Sequence, residues 1–240
     1  MTAASTLTVL CCRPDPATAA GNGDEVRDQP KVAAAIERMV ARCAPATVHL
    51  VGRRPGKAVD PLLAGRVVVI GDDADLAAVA QRLLRGHLLG SVELAYAAPR
   101  RSPATDLWAL PTGERAIELA SGGEVDLVPL VRDDVGGVLV AAGYLGPLNG
   151  TVYVDEHRVL RGAAQRLRVE PDREKGLAVT VTRRRVMAIG RRPVTTLGRA
   201  VQIGTVATTV VRDGIPYPRP MDRWTFYKHT EPLRLVRGLP

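Results

Sequence analysis

The feature that most constrains this sequence is a change of pattern near Gly113. Before it, short β-branched runs alternate with amphipathic stretches, whereas after about residue 125 strand-like runs follow one another with turn residues between them. The first pattern is typical of an open parallel sheet covered by helices, and the second favours an antiparallel sandwich. We therefore predict an α/β, open Rossmann-like domain at residues 1–113 and an antiparallel β-sandwich domain at 114–240, with the last strand expected to return towards the first domain.

Within the first half, residues 32–42 and 76–84 place their apolar side chains on one helical face. They alternate with five predicted strands, at residues 7–12, 47–51, 67–70, 92–97 and 107–110. Residues 13–29 are rich in Pro, Ala, Gly and Asp and are predicted to form a long loop. In the second half a short helix is predicted at 114–120, followed by strands with hairpin turns at Asp155-Glu156 and Asp213-Gly214.

Composition excludes several classes of protein but names no partner. The 33 basic residues outnumber the 25 acidic ones and give a net charge of +8, and all but four of the basic residues are arginine. Arginine suits phosphate because its guanidinium binds oxyanions bidentately, although a GC-rich genome would produce the same bias. The three cysteines lack CxxC spacing, no apolar run reaches the length of a membrane span, and no GxSxG motif occurs. A zinc site and a serine hydrolase are disfavoured, and a cytoplasmic location is expected.

The most informative segment is a buried strand followed by Gly71-Asp72-Asp73-Ala74-Asp75 and a helix. A helix N-terminus presents free N–H groups and a positive dipole to phosphate, and an acidic residue there can hold Mg²⁺. Aspartates are also common helix caps, so the three carboxylates serve equally well as capping groups. The residues leave both interpretations open.

The order of segments resembles the diacylglycerol kinase catalytic family, which includes bacterial lipid kinases and sphingosine kinases. The resemblance is carried by the strand, GDDAD and helix, by the LWALPTG segment ending at Gly113, and by residues 198–236. Members of this family are similar to NAD kinases in fold. The resemblance implies an α/β domain and a β-sandwich domain with ATP in the cleft between them. It also implies Mg²⁺-dependent transfer of the γ-phosphoryl group to a lipid hydroxyl.

The same resemblance implies roles for individual residues. The family's GGDGT loop falls on residues 71–75, where Gly71 and Asp73 match while Asp72, Ala74 and Asp75 replace two glycines and a threonine. A second family motif, PxGTxND, falls on residues 111–117 and keeps Pro111 and Gly113. The implied catalytic residues are Asp73 and Asp213, with Asp73 also the metal ligand, and the implied nucleotide-binding residues are Gly71, Asp72, Thr112 and Gly113.

Two functional hypotheses follow from these matches and replacements. The first is an ATP-dependent lipid kinase with ATP and Mg²⁺ as cofactors, in which Arg212 is a further candidate for bracing a phosphate. The second is a catalytically inactive relative that acts as a nucleotide- or lipid-binding or regulatory module. It is favoured because the late DGE motif has also lost its glutamate, which is Ile215 here.

The expected partners are a nucleotide and a lipid, with peripheral membrane contact, and a homodimer is left open. The arginines at 183–185 and 191–192 are candidates for contact with anionic lipid headgroups. Nucleic acid is disfavoured because only 3% of the residues are aromatic, which leaves few rings on which bases can stack.

Overall fold

The computed structural model describes residues 7–13, 23–44, 46–183 and 193–238, and of residues 23–29 the backbone alone. The chain divides into two compact units, Met1–Val128 with Leu233–Pro240 and Pro129–Pro232. The first unit therefore extends past residue 113, the boundary expected from the sequence, and includes the last strand. No described helix is long and apolar enough to cross a membrane.

The elements of each unit are the following. The first unit contains helices α1 (Gly23–Ala41), α2 (Asp73–Arg85), α3 (Pro103–Trp108) and α4 (Glu114–Gly122), a 3-10 helix (Lys57–Leu62), and strands β1 (Leu7–Arg13), β2 (Thr47–Gly52), β3 (Arg66–Ile70), β4 (Glu93–Ala97), β5 (Val125–Val128) and β18 (Leu233–Val236). The second unit contains β6 (Val131–Asp133), β7 (Val138–Leu139), β8 (Gly143–Leu145), β9 (Leu148–Val154), β10 (His157–Ala164), β11 (Arg166–Asp172), β12 (Gly176–Thr182), β13 (Val194–Gly198), β14 (Ala200–Thr208), β15 (Val210–Arg212), β16 (Ile215–Pro216) and β17 (Met221–Lys228).

The six strands of the first unit form one sheet in the order β2-β1-β3-β4-β18-β5. All neighbours are parallel except β5, which runs antiparallel to β18. The chain moves outward from β1 to β2 and then returns to the other side of β1 with β3, so the order reverses between β1 and β3. Open sheets of this type bind ligands outside the carboxyl ends of the strands at such a reversal. The loops that follow β1 and β3 are therefore the first place to look for a site.

Burial on both faces explains why β3 reads as a continuous apolar run. Residues 67–70 of this strand are at most 2% exposed, as expected for a central parallel strand with helices on both sides. On one face Val68 and Ile70 pack in a cluster with Ile36 and Met39 of α1 and with residues of α4. The apolar positions of these helices recur with the 3.6-residue helical spacing, so they form one face that packs on the central strands.

Two sequence-based predictions in the first unit were wrong. Residues 107–110 were expected to form a strand, but 103–108 form helix α3. Ser102 caps that helix reciprocally with Thr105, and Pro103 occupies its first turn, where proline is favoured. Helix α1 also begins at Gly23, inside the predicted loop 13–29, of which residues 14–22 lie outside the described part of the chain.

The second unit consists of two antiparallel six-stranded sheets. The second sheet has the order β10-β9-β14-β17-β6-β7 and the third sheet the order β13-β12-β11-β8-β15-β16. Alternate side chains of both sheets enter one apolar cluster, which includes Val152 and Phe226 of the second sheet and Val169 and Val179 of the third. The all-β character predicted for this half of the chain is confirmed. The arginine cluster that the sequence has at 183–185 and 191–192 lies outside the described part of the chain, except for Arg183.

Both predicted hairpin turns are confirmed. Asp155 joins β9 to β10 and has a φ of 50°. Asp213 and Gly214 join β15 to β16 with φ values of 44° and 83°. Aspartate and glycine tolerate this left-handed region better than other residues, which is why such pairs are favoured in two-residue hairpin turns.

Two glycines of the second sheet provide a matched test of strand packing. A Cβ at Gly150 in β9 would lie 2.0 Å from the carbonyl oxygen of Gly204, whereas a Cβ at Gly204 would meet nothing within 4 Å. We expect Gly150→Ala to lower the free energy of unfolding by about 1–3 kcal/mol, because the backbone must shift. Gly204→Ala is expected to leave it unchanged or to raise it by up to about 1 kcal/mol. Urea denaturation of both variants measures the difference, and equal effects would contradict this packing.

Candidate functional site

The acidic turn after β3 begins helix α2 with a reciprocal cap. The Asp72 carboxylate accepts a hydrogen bond from the Asp75 N–H, and the Asp75 carboxylate accepts one from the Asp72 N–H, both at 3.0 Å. Two of the N–H groups at this helix end are therefore already paired within the turn. The sequence-based interpretation of Asp72 and Asp75 as capping residues is confirmed.

Asp75 also binds the loop that follows β2. Its carboxylate is fully buried and accepts the Arg53 Nε at 2.8 Å and the Arg54 N–H at 2.6 Å. The Arg53 guanidinium also forms an ion pair with Asp72, whose side chain is half exposed. Burial raises the pKa of Asp75, while the Arg54 hydrogen bond and the Arg53 charge act in the opposite direction. Burial, and after it the charge of Asp75, also raises the pKa of the Cys12 thiol in β1.

Asp73 faces the other way and binds the segment that follows β4. Its Oδ1 accepts the hydroxyls of Ser102 at 2.6 Å and Tyr96 at 2.8 Å, and its Oδ2 accepts the Ala104 N–H at 3.0 Å. Burial, followed by the charge of Asp73, raises the pKa of Tyr96, so this hydroxyl remains a donor. The Asp73 carboxylate is thus buried and enclosed by three donors of its own chain.

The expected phosphate loop is consequently filled by its own side chains. A Cβ at Gly71 would lie 2.5 Å from Asp75 Oδ2, so the Asp75 carboxylate lies directly against this glycine. Phosphate sites at helix N-termini depend on unpaired N–H groups and on positive potential. Here a buried carboxylate accepts the Asp72 N–H and supplies negative charge. A bare phosphate does not fit this turn as it stands.

Thr112 and Gly113 lie at the same edge of the sheet, at the start of α4. Gly113 has a φ of 64° and is the N-cap of the helix, and its N–H donates to the carbonyl oxygen of Ala98, just beyond β4, at 2.8 Å. A Cβ at Gly113 would meet nothing within 4 Å. The space beside Gly113 is therefore open, although its N–H is already used within the protein.

Asp213, predicted to be catalytic, lies in the second unit and is also enclosed by donors. Its Oδ1 accepts the N–H groups of Ala141 at 2.8 Å and Ala142 at 3.0 Å, and its Oδ2 accepts the Val140 N–H at 3.0 Å. The side chain is buried and orders the segment between β7 and β8. This arrangement explains why an aspartate is accommodated at a positive φ.

Arg212, the candidate phosphate brace, is directed into the protein. Its guanidinium pairs with the fully buried carboxylate of Asp133 and lies 5.6 Å from the ring centroids of both Tyr217 and Trp224. Asp133 also accepts the N–H groups of Val135 and Gly137. Arg212 thus balances the buried charge of Asp133.

The residues at Asp73 do not fit the magnesium ion that the resemblance implied. Mg²⁺ needs about six oxygen ligands with free lone pairs in a nearly octahedral arrangement. The Asp73 oxygens face hydrogen-bond donors instead, and the described residues contain no group of three or more His, Cys, Asp or Glu that could hold a metal. We derive no reaction step through a metal at this position.

The fold of this chain is similar to that of known proteins, although its sequence is not. No protein-family model matches the chain, and no curated protein sequence matches it. Among solved structures it is similar to a diacylglycerol kinase from Bacillus anthracis str. Sterne, with a TM-score of 0.61, 12% identity and 97% of each chain covered. It is also similar to an NAD kinase from Archaeoglobus fulgidus in complex with ATP, with a TM-score of 0.57, 13% identity, and 97% of this chain and 94% of that chain covered. The chain has the fold of these kinases.

Three residues that organise the turn of this kinase-like fold were not found from the sequence. Arg53, Tyr96 and Ser102 lie 22 to 29 positions away from the aspartates that they bind. One signal was present, because the loops that follow neighbouring parallel strands meet at one edge of the sheet. An arginine pair directly after β2 and a Ser-Pro-x-Thr cap after β4 were therefore candidates for contact with an acidic turn.

The buried pair of Asp75 and Arg53 can be tested against an exposed pair. Asp75→Asn removes the charge that balances Arg53 and replaces one acceptor by a donor, so we expect the free energy of unfolding to fall by about 3 kcal/mol. The control Asp106→Asn breaks the exposed pair with Arg101 and should cost less than about 1 kcal/mol. Urea denaturation at constant salt measures both. Similar losses in the two variants would contradict the structural role of Asp75.

Proposed function

We propose that this protein is a non-catalytic relative with the kinase fold that acts as a binding or regulatory module. The observation that carries the proposal is the state of the two aspartates expected to be catalytic. Asp73 and Asp213 are both buried, and each carboxylate accepts three hydrogen bonds from its own chain. A carboxylate in this state is a poor general base, because a substrate hydroxyl would first have to displace an existing donor.

The loss of stabilising groups supports the same proposal. Phosphoryl transfer depends on positioning and on electrostatic stabilisation of the transferred group. In this turn the N–H groups of Asp72 and Asp75 are paired, and the Arg53 guanidinium is neutralised by two carboxylates. Removal of a single stabilising donor commonly lowers a rate by a factor on the order of 10²–10³. Because several stabilising donors are unavailable together, we expect little phosphoryl-transfer activity.

The alternative function is an ATP-dependent lipid kinase that phosphorylates a lipid hydroxyl. It is favoured by the order of the sequence motifs and by the likeness to structures described as a diacylglycerol kinase and as an NAD kinase in complex with ATP. Both candidates share one proposed architecture, an open Rossmann-like part followed by an antiparallel sandwich. The reversal between β1 and β3 and the common core of the second and third sheets support that architecture.

A phosphorylation assay distinguishes the two candidates. The purified chain is incubated with γ-labelled ATP, Mg²⁺ and a panel of lipids that carry free hydroxyls, and labelled lipid is measured after separation. We expect no labelled product, because neither aspartate is available to a substrate. We also expect no rise in melting temperature at millimolar ATP and Mg²⁺, because the Asp72 and Asp75 N–H groups that a phosphate would need are already paired. A ligand that bound the folded state would raise this temperature.

The decisive comparison uses two conservative variants. If the wild-type chain labels a lipid, Asp73→Asn abolishes the labelling, and Asp106→Asn retains it, then the protein is a kinase and the proposal fails. The melting temperature and the far-ultraviolet circular dichroism of each variant show whether it is folded. This control is needed because Asp73 also joins the turn after β3 to the segment after β4.

A further inference from the structure

The positive charge of this protein is concentrated in its second unit. Residues 129–232 contain 17 basic and 10 acidic residues, whereas the rest of the chain contains 16 and 15. Almost all of the net charge of +8 therefore belongs to the all-β unit. Such an asymmetry indicates that this unit meets an anionic partner.

Part of this charge lies on the outward side of the second sheet. Side chains alternate between the two sides of a strand, so residues paired with outward positions also point outward. This side is defined by four cross-strand pairs, which are Arg158 with Tyr153, Arg161 with Thr151, Gly204 with Arg223, and Tyr227 with Arg132. We call it the basic face, and its charged and aromatic members are Arg132, Arg158, Arg161, Arg223, Tyr153 and Tyr227.

The basic face carries more arginines than acidic residues. In the described strands β9, β10 and β14, no outward position carries an acidic residue, and two exposed acidic residues, Asp222 beside Arg223 and Asp134 just after β6, lie at its border. None of the ion pairs described in the second unit involves Arg158, Arg161 or Arg223, and all three are exposed. These arginines are therefore available to an external anion.

The arginines are spread out rather than gathered around one point. Arg161, Thr151, Gly204 and Arg223 occupy one row across four neighbouring strands. At about 4.8 Å between strands, the two arginines stand about 14 Å apart. Gly204 lies between them and has no side chain, so no side chain rises from the sheet at this position. This spacing suits a flat surface that carries many phosphates better than one small ligand.

An apolar groove continues the same side of the sheet. It has a volume of about 580 Å³ and is lined mainly by Pro147, Leu148, Ala163, Ala164, Val206 and Ala207. Ala163 lies two residues beyond Arg161 in β10, and Val206 lies two residues beyond Gly204 in β14. The Val206 side chain is 69% exposed. Exposed aliphatic side chains beside arginines are typical of proteins that lie on a membrane surface.

We propose that the basic face docks on an anionic lipid bilayer, with its arginines on headgroup phosphates and the groove edge at Val206 against the acyl chains. A nucleic acid would use the charge but would leave the apolar groove without a role. Recognition of single strands also depends on two or three free aromatic rings, and the Tyr227 ring already has the Arg132 guanidinium 5.8 Å from its centroid. The inference goes beyond the proposed function and does not depend on whether phosphoryl groups are transferred.

Vesicle co-sedimentation of the full chain, without ATP, tests the proposal. We expect binding to vesicles that contain about a third phosphatidylserine, weak binding to pure phosphatidylcholine, and a loss of binding as the salt concentration rises. The triple variant Arg158→Gln, Arg161→Gln, Arg223→Gln should bind on the order of 100-fold more weakly, or about fivefold for each arginine. Val206→Ser should weaken binding severalfold while leaving the salt dependence unchanged.

A charge-matched control separates the basic face from overall charge. Arg85, Arg101 and Arg115 are exposed arginines of the first unit, and changing all three to glutamine removes the same net charge. This control should retain wild-type binding. Equal binding to neutral and anionic vesicles, an equal loss in the control, or binding of a single-stranded oligonucleotide in place of vesicles would each overturn the proposal. Because the vesicle experiment contains no ATP, its result does not depend on whether the protein transfers phosphoryl groups. A failure of this proposal can therefore be told apart from a failure of the proposed function.

Discussion

Two aspartates of one short turn hold together the loops at the carboxyl edge of the parallel sheet. Asp75 reaches back to Arg53 and Arg54 after β2, and Asp73 reaches forward to Ser102 and Ala104 after β4. The loop between them is thereby fixed on both sides. Since both carboxylates are buried, each must be fully hydrogen-bonded for the fold to be stable. This requirement, more than any catalytic demand, accounts for the acidic character of the turn.

The same requirement explains how this turn keeps its conformation without a bound anion. A phosphate-binding loop keeps its N–H groups free and is stabilised by the phosphate when it arrives. Here the Asp72 and Asp75 carboxylates accept the reciprocal hydrogen bonds of the helix cap, and Arg53 balances their charge. The turn is complete in itself, so a phosphate would have to compete with a covalently attached anion that is always present.

The sequence predicted much of the fold because periodicity reports burial directly. The apolar run at 67–70 and the helical spacing of residues 76–84 lead to β3 and α2 without any further information. The strand predicted at 107–110 was wrong because the Ser102 cap and Pro103 start a helix there. The cap formed by Asp72 was predictable from residue type. The partners of Asp73 were not, because pairing between distant loops depends on strand order and register, which no local pattern contains.

The position of β18 has a consequence for how the protein is made. This strand, Leu233–Val236, lies between β4 and β5 in the first sheet, and β5 pairs with it. The ribosome therefore completes all of the second unit before the strand that joins β4 to β5 exists. During synthesis β4 carries an unpaired edge, which is a site of aberrant pairing with other chains. We expect nascent chains to be most vulnerable to aggregation in this interval and to depend on chaperones until residue 236 has emerged.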